Sequence, residues 1–255
     1  MAEPSGRWIS LTWHRRLTAD LMHFGKKVPC VAVHREFRLA PVARARKAAA
    51  QRLSWTILFA KAFALTAKEH PELRRSYMPL PWAHLYEHPG SVGVITVERA
   101  DESEPYPVAL RLQCPEAMSL IQLDAKLHRF KNTPADEIGT LRKFRRFANL
   151  PSPIRYAVWW SILNLSGARR AREAGTFAVT STASAGAGVL SMFSPTTSNL
   201  HFGLLSGDDR LDVRLTFDHR VYDGGQAART LTRLEEILND QIAAELLGTP
   251  LRAAA

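Results

Sequence analysis

Residues 215–225, LTFDHRVYDGG, decide how this chain is read. Val213, Leu215 and Phe217 alternate with Asp212, Arg214 and Thr216 at period two, the pattern of a half-buried strand. Continued, that parity turns His219 inward. Directly after Gly224 and Gly225 the period changes, and Ala227, Leu231, Leu234 and Leu238 fall on one stripe of a helix. A strand thus delivers a histidine to the turn that precedes a helix. There an imidazole can offer one ring nitrogen to a substrate while an acceptor fixes the other. Its near-neutral pKa suits it to take a proton from a thiol, hydroxyl or amine.

Working outward, HFGLL (201–205) and DVRLTFDH (212–219) flank the turn SGDDR as a hairpin. GTFAVTSTAS (175–184) reads as a strand entering the small-residue stretch AGAGV, where backbone can approach another backbone or a ligand. Nearer the N-terminus, RRLTADLMHF (15–24) is a short helix stopped by Gly25 and the KKVP turn, VAVHREF (31–37) is a strand, and ARARKAAAQRL (43–53) is helical by propensity. Residues 53–73 are apolar almost all round until Lys68, as in a helix buried in a protein core. SVGVITVE (91–98) and YPVALRLQ (106–113) are strands around the acidic turn RADESEP. Residues 116–131 predict an amphipathic helix with Met118, Ile121, Ala125 and Leu127 inward. The basic block TLRKFRRF (140–147) then leads to Trp159 and Trp160, flanked by Arg155 and by Arg169, Arg170 and Arg172. That pattern packs as an extra helix or lies in a membrane interface or against a partner.

The 255 residues are 46% hydrophobic and 23% charged, a globular composition, and the formal charge of +10 suggests an anionic partner. The basic residues are scattered and no recognition motif accompanies them, so nucleic acid is not the expected partner. Two cysteines, Cys30 and Cys114, exclude an intrachain disulfide framework and a tetrathiolate zinc site. The opening MAEPSGRWISLTWHRR lacks a secretory pattern, and no run approaches the roughly 20 apolar residues of a membrane span. A cytoplasmic protein is the expectation.

FDHRVYDGGQAARTLTRLEEIL (217–238) closely resembles the C-terminal signature of the dihydrolipoamide acyltransferases, the cores of 2-oxoacid dehydrogenase complexes. GTFAVTS (175–181) resembles that family's G-T-F-T-I-T/S-N strand. RRLTADLMHFGKKVPCVAVHREF (15–37) and WTILFAKAFALTAKEHPELRRSY (55–77) are similar to its opening segment and its long buried helix. The resemblance implies an α/β (α+β) fold, a chloramphenicol acetyltransferase-like two-layer sandwich on a mixed sheet. It implies a catalytic domain over 12–245, with an arm at 1–11 and a tail at 246–255. It further implies His219 as general base and Thr180 as the hydroxyl that supports a tetrahedral oxyanion. Asp223 would hold architecture through an arginine contact, and Gly224 would permit a tight turn. Asp218 and Arg220 would complete the structural motif, with Ser181 as a secondary polar contact. Coenzyme A, as acyl-CoA, would be the substrate without a metal, and the assembly a homotrimer or a larger cubic cage with the site between subunits.

Three features depart from the family pattern. Ser181 stands where asparagine usually follows the catalytic threonine, VERADESEPYP (97–107) replaces an S-T-P-R-G turn, and the Trp159-Trp160 insertion replaces a short polar connection. With no lipoyl or subunit-binding domain expected, the reading is a stand-alone, CoA-dependent acyltransferase acting on a thiol, hydroxyl or amine of unidentified acceptor. A dihydrolipoamide acyltransferase served by a separate lipoyl carrier and a non-catalytic trimeric scaffold are the alternatives.

Overall fold

The computed structural model describes residues 6–100, 105–190 and 192–248. The first five residues of the expected arm, the 101–104 tip of the acidic turn and residues 249–255 of the tail lie outside them. In chain order, α1 (Trp13–Gly25) leads to β1 (Cys30–Arg38), α2 (Ala40–Ala48) and α3 (Trp55–Glu69). β2 (Arg75–Met78) and β3 (His84–Glu87) form a small hairpin, followed by the larger hairpin of β4 (Val92–Ala100) and β5 (Pro105–Gln113). Four helices follow: α4 (Leu120–Asn132), α5 (Gly139–Ala148), α6 (Ser152–Asn164) and α7 (Gly167–Ala174). β6 (Phe177–Ser181), β7 (Ser198–Phe202) and β8 (Arg210–Asp218) complete the main sheet. α8 (Gly224–Ile237) then runs through a wider turn at Leu238–Ile242 into α9 (Ala243–Leu246).

Six strands make one mixed sheet in the order β1-β8-β7-β6-β4-β5, in which β4, β6 and β7 are parallel and the remaining pairs antiparallel. Alternation puts Ile95, Val97, Phe177, Val179, Leu200, Phe202, Leu215 and Phe217 on the face that the helices cover. α3 lies against that face, with Phe63 on Phe177 (4.7 Å between ring centroids) and Phe59 on Phe202 (4.4 Å). Because α3 is enclosed by the sheet, α4 and α8, it is apolar on every side. Lys61 of α3 is buried in this layer and donates to Glu245 of α9, whose other oxygen accepts the Leu120 N–H at 2.8 Å. A single carboxylate therefore ties α3, α4 and α9.

The inward stripe of α4 is Leu120, Leu123, Leu127 and Phe130, which corrects the predicted one. Ile121 is 63% exposed and Ala125 faces solvent, while Met118 precedes the helix. Ser119 and Gln122 form a capping box that starts the helix at Leu120 and sets its phase. The sequence also gave no sign of β2, β3 or α7.

The segment around Trp159 and Trp160 is a packed helix, α6, held to α1 by a buried ion pair. Arg155 Nε meets Asp20 Oδ2 at 2.7 Å and Nη2 meets Oδ1 at 3.0 Å, and both side chains are nearly inaccessible. Arg155→Ala leaves the Asp20 carboxylate buried without its partner. It is expected to cost about 3–5 kcal/mol, read as a lowered urea midpoint. Among the described residues no helix is long and apolar enough to cross a membrane.

Candidate active site

The β8 ladder ends at Asp218, paired with Cys30 of β1, so the alternation that would turn His219 inward stops one residue short of it. The chain bends instead: His219 N–H donates to Pro29 O (3.1 Å), Val221 N–H donates to Asp218 O (3.0 Å), and the His219 side chain is exposed. Its neighbours are rigidly held. Asp218, fully buried, receives Arg220 Nε at 2.9 Å on Oδ1 and Nη2 at 2.7 Å on Oδ2, and also the Arg220 backbone N–H at 3.0 Å. The guanidinium lies over the Tyr77 ring, 4.3 Å from its centroid. Tyr222 stacks on Phe217 at 4.7 Å and shares a 2.8 Å hydrogen bond with Ser198, and its burial pushes the phenol pKa up. An imidazole thus projects from a turn with little freedom.

Asp223 caps α8: its carboxylate accepts Gln226 N–H at 2.9 Å and Gln226 Oε1 accepts the Asp223 N–H at 3.1 Å. The arginine contact expected of Asp223 is made by Asp218, because Asp223 sits where the four free N–H groups of α8 need an acceptor. Gly224 is the first helical residue, and an added Cβ there would meet nothing within 4 Å, so no tight turn requires it. The motif glycine under constraint is Gly175, with φ +89° and only 2.4 Å between an added Cβ and Val94 Cγ2.

Thr180 and Ser181 end β6 on opposite faces. Ser181 Oγ donates to Phe202 O (2.9 Å) and accepts from Ala183 N–H (3.2 Å), so it closes the strand end. Thr180 lies on the face away from α3, cross-strand from His201, and its hydroxyl makes no hydrogen bond among the described residues. His201 is the residue that sequence reasoning missed, although Asn199 and His201 alternate with Ser198, Leu200 and Phe202. Its Nε2 accepts the Val189 N–H at 3.0 Å and its Nδ1 is buried without a partner. Burial, helped by Arg214, pushes its pKa down, so the neutral ring carries its proton on Nδ1.

One chain does not bring His219 and Thr180 together. Thr180 pairs with His201 and His201 with Arg214, five residues before His219 on β8. Five residues along a strand and two strand spacings across put the two groups on the order of 20 Å apart. They stand at opposite ends of the sheet.

A cavity of about 640 Å³ opens at the C-terminal ends of β4, β6 and β7 on the helical face. Arg46, Lys47, Arg52, Lys131, Ser181 and Phe202 are among its lining residues, with Glu98 as the acid. Burial, and after it the neighbouring Arg52 charge, push the Arg46 pKa down. At the other end of the sheet, the Cys30 thiol is pushed up to about 11 by burial and then by Asp218, so it is not a thiolate nucleophile at neutral pH. Among the described residues no group of three or more His, Cys, Asp and Glu could hold a metal ion.

The architecture is similar to that of solved acyltransferase cores. It matches a probable dihydrolipoamide acetyltransferase from Listeria monocytogenes at 21% identity over 97% of this chain and 99% of that one, with a TM-score of 0.67. It matches the Azotobacter vinelandii dihydrolipoamide acetyltransferase at 23% identity over 95% of both chains, TM-score 0.64. In that protein a serine, a histidine and an asparagine four residues beyond the histidine were investigated for roles in catalysis. Similarity extends to the cubic core of a pyruvate dehydrogenase multienzyme complex (22% identity, 95% of both chains, TM-score 0.63). It extends also to chloramphenicol acetyltransferase (13% identity, 85% of this chain and 92% of that one, TM-score 0.55). No family model matches the chain, and no curated protein matches it in sequence. The chain therefore has the chloramphenicol acetyltransferase-like α/β fold, built on a six-stranded mixed sheet.

Proposed function

We infer that the protein is a CoA-dependent acyltransferase whose active site forms between protomers of a trimer. The observation that carries this reading is the separation of His219 and Thr180 at opposite ends of one sheet: an exposed base and an uncommitted hydroxyl meet only when a neighbouring copy supplies the other. His219 takes the proton of a thiol, hydroxyl or amine as that atom attacks the thioester carbonyl. The Thr180 hydroxyl of the adjacent protomer donates to the tetrahedral oxyanion, an interaction worth about 3–4 kcal/mol of barrier. Collapse breaks the carbon–sulfur bond, and the imidazolium returns its proton to the departing thiolate, releasing free coenzyme A and the acylated acceptor. No covalent acyl-enzyme is needed, in keeping with the protonated Cys30.

In this reading the cation-lined cavity receives the phosphates of acyl-CoA at the β6 end that carries Thr180, on the opposite face of the sheet from the Thr180 hydroxyl. Lys47, Arg52 and Lys131 have no acidic partner among the described residues. Lys47→Ala with Arg52→Ala is expected to raise KM for acyl-CoA about tenfold per lost charge-assisted contact, with kcat unchanged. A lowered kcat at unaltered KM would remove the phosphates from this cavity.

A dihydrolipoamide acyltransferase served by a free lipoyl carrier is the second reading, favoured by the named activities of the similar cores. Chromatography of acetyl-CoA and longer acyl-CoAs incubated with thiol, hydroxyl and amine acceptors tests both. Efficient acylation of dihydrolipoamide selects the second, and transfer to other acceptors selects the first. Failure of every acceptor to yield coenzyme A would leave a scaffold. Assembly of trimers into a cubic cage is part of the same proposal, read by the particle mass in solution.

A further inference from the structure

We propose that the α5–α6–α7 insertion is a docking face for an anionic lipid bilayer. From residue 139 to 172 the chain carries eight arginines and lysines and neither aspartate nor glutamate. Two of the eight, Arg155 and Arg170, are buried: Arg155 pairs with Asp20, and Arg170 donates to the carbonyls of Tyr77 and Pro195 at 2.8 Å each. The other six, Arg142, Lys143, Arg145 and Arg146 on α5 and Arg169 and Arg172 on α7, are exposed. Arg145 and Arg172 have acidic partners at 3.3 Å, the exposed Asp136 and the half-buried Glu173 that Arg111 also holds at 2.8 Å. Arg142, Lys143, Arg146 and Arg169 have none among the described residues.

Between these cations runs an uncovered apolar stripe. Ile154 (48% exposed), Ala157 and Trp160 (47%) recur at helical spacing and face solvent, with exposed Leu150 just before α6 and exposed Leu165 (56%) at its C-terminal cap. Phe147 against Trp159, 6.1 Å between centroids, joins α5 to one side of α6. Arg169 Nη1 on Ser161 Oγ, 3.4 Å, brings the α7 charge to the last turn of α6. Trp159 is thus an internal packing residue, and Trp160 is the tryptophan the face presents. An apolar strip about 20 Å long, with a tryptophan in it and uncompensated cations beside it, is the composition of a helix that lies in a headgroup layer. An acidic protein surface would satisfy the arginines but leave Ile154, Trp160 and Leu165 without an apolar acceptor.

The test is cosedimentation of the full-length protein, in its native assembly, with vesicles of phosphatidylcholine alone and of phosphatidylcholine mixed with phosphatidylglycerol. Binding to the mixed vesicles at low salt, weakening as salt is raised, and little binding to the neutral ones are expected. Ile154→Ser with Trp160→Ser should abolish it. Each of Arg142→Gln, Lys143→Gln and Arg146→Gln should lower the partition coefficient about fivefold. All of these positions are exposed, so folding is not at stake, and light scattering of each variant reports its assembly state. Absence of binding to the mixed vesicles at low salt overturns the proposal, as does binding indifferent to the Ile154 and Trp160 changes. If those changes instead reduce the number of copies in the assembly, the stripe is a protein interface and the proposal also fails. None of these readouts depends on acyl transfer.

Discussion

His219→Ala is expected to lower the rate of acyl transfer by about 10²–10⁴ without unfolding the protein, because in the proposed mechanism the side chain is the proton acceptor, and it stands exposed with its ring 5.7 Å from that of Phe217. Thr180→Val is expected to lower kcat by about 10²–10³ by removing the proposed oxyanion donor while keeping the shape of the side chain. The informative experiment combines them. Each variant alone keeps at most about one per cent of the activity, and unfolding and refolding the two together is expected to yield interfaces in which the Thr180→Val protomer supplies His219 and the His219→Ala protomer supplies Thr180. Random reassembly makes about one interface in four of this kind, so about a quarter of wild-type activity returns. A site built within one chain recovers nothing on mixing, and that outcome would dissolve the shared-site reading.

The second large effect lies in the pair beside the histidine. Arg220→Ala leaves the Asp218 carboxylate, which has no solvent contact, without its bidentate partner. The expected loss is about 3 kcal/mol, at the low end for a buried pair because about a third of the guanidinium already touches water. Asp218→Asn costs less, since Arg220 can turn to solvent while the amide keeps the backbone hydrogen bond. Arg220→Lys falls between, having the charge but not the two-pronged geometry or the stacking on Tyr77. Urea midpoints of the three variants give the order. Equal losses for Arg220→Ala and Arg220→Lys would show that the fork is not what holds the turn.

Where burial alone shapes an element, the sequence was a sufficient guide. The all-round apolar α3, the alternating β8 and the Ala227-Leu231-Leu234-Leu238 stripe needed only periodicity, because each is surrounded by core. Where a local hydrogen bond sets the frame, periodicity misled. The phase of α4 follows from Ser119 and Gln122 rather than from its mean apolar pattern, and the orientation of His219 follows from where β8 loses its partner in β1. The candidate site itself was half legible. The motif residues could be named, and the resemblance implied a site divided between subunits, but not that Asp218 rather than Asp223 holds the arginine, since that depends on how the chain bends beyond the last pair of β8 and β1. His201 and the Arg46-Lys47-Arg52 cluster carry no local signature and emerge only when β7 lies beside β6 and α2 folds over the strand ends.

The carboxylate of Glu245 has a consequence for how the chain is made. Synthesis lays down Lys61 and the rest of α3 early, yet the counter-ion of that lysine is residue 245. Before Glu245 has been made, burial of the Lys61 ammonium would leave it without this carboxylate, so the final packing of α3 is expected to follow the synthesis of α9.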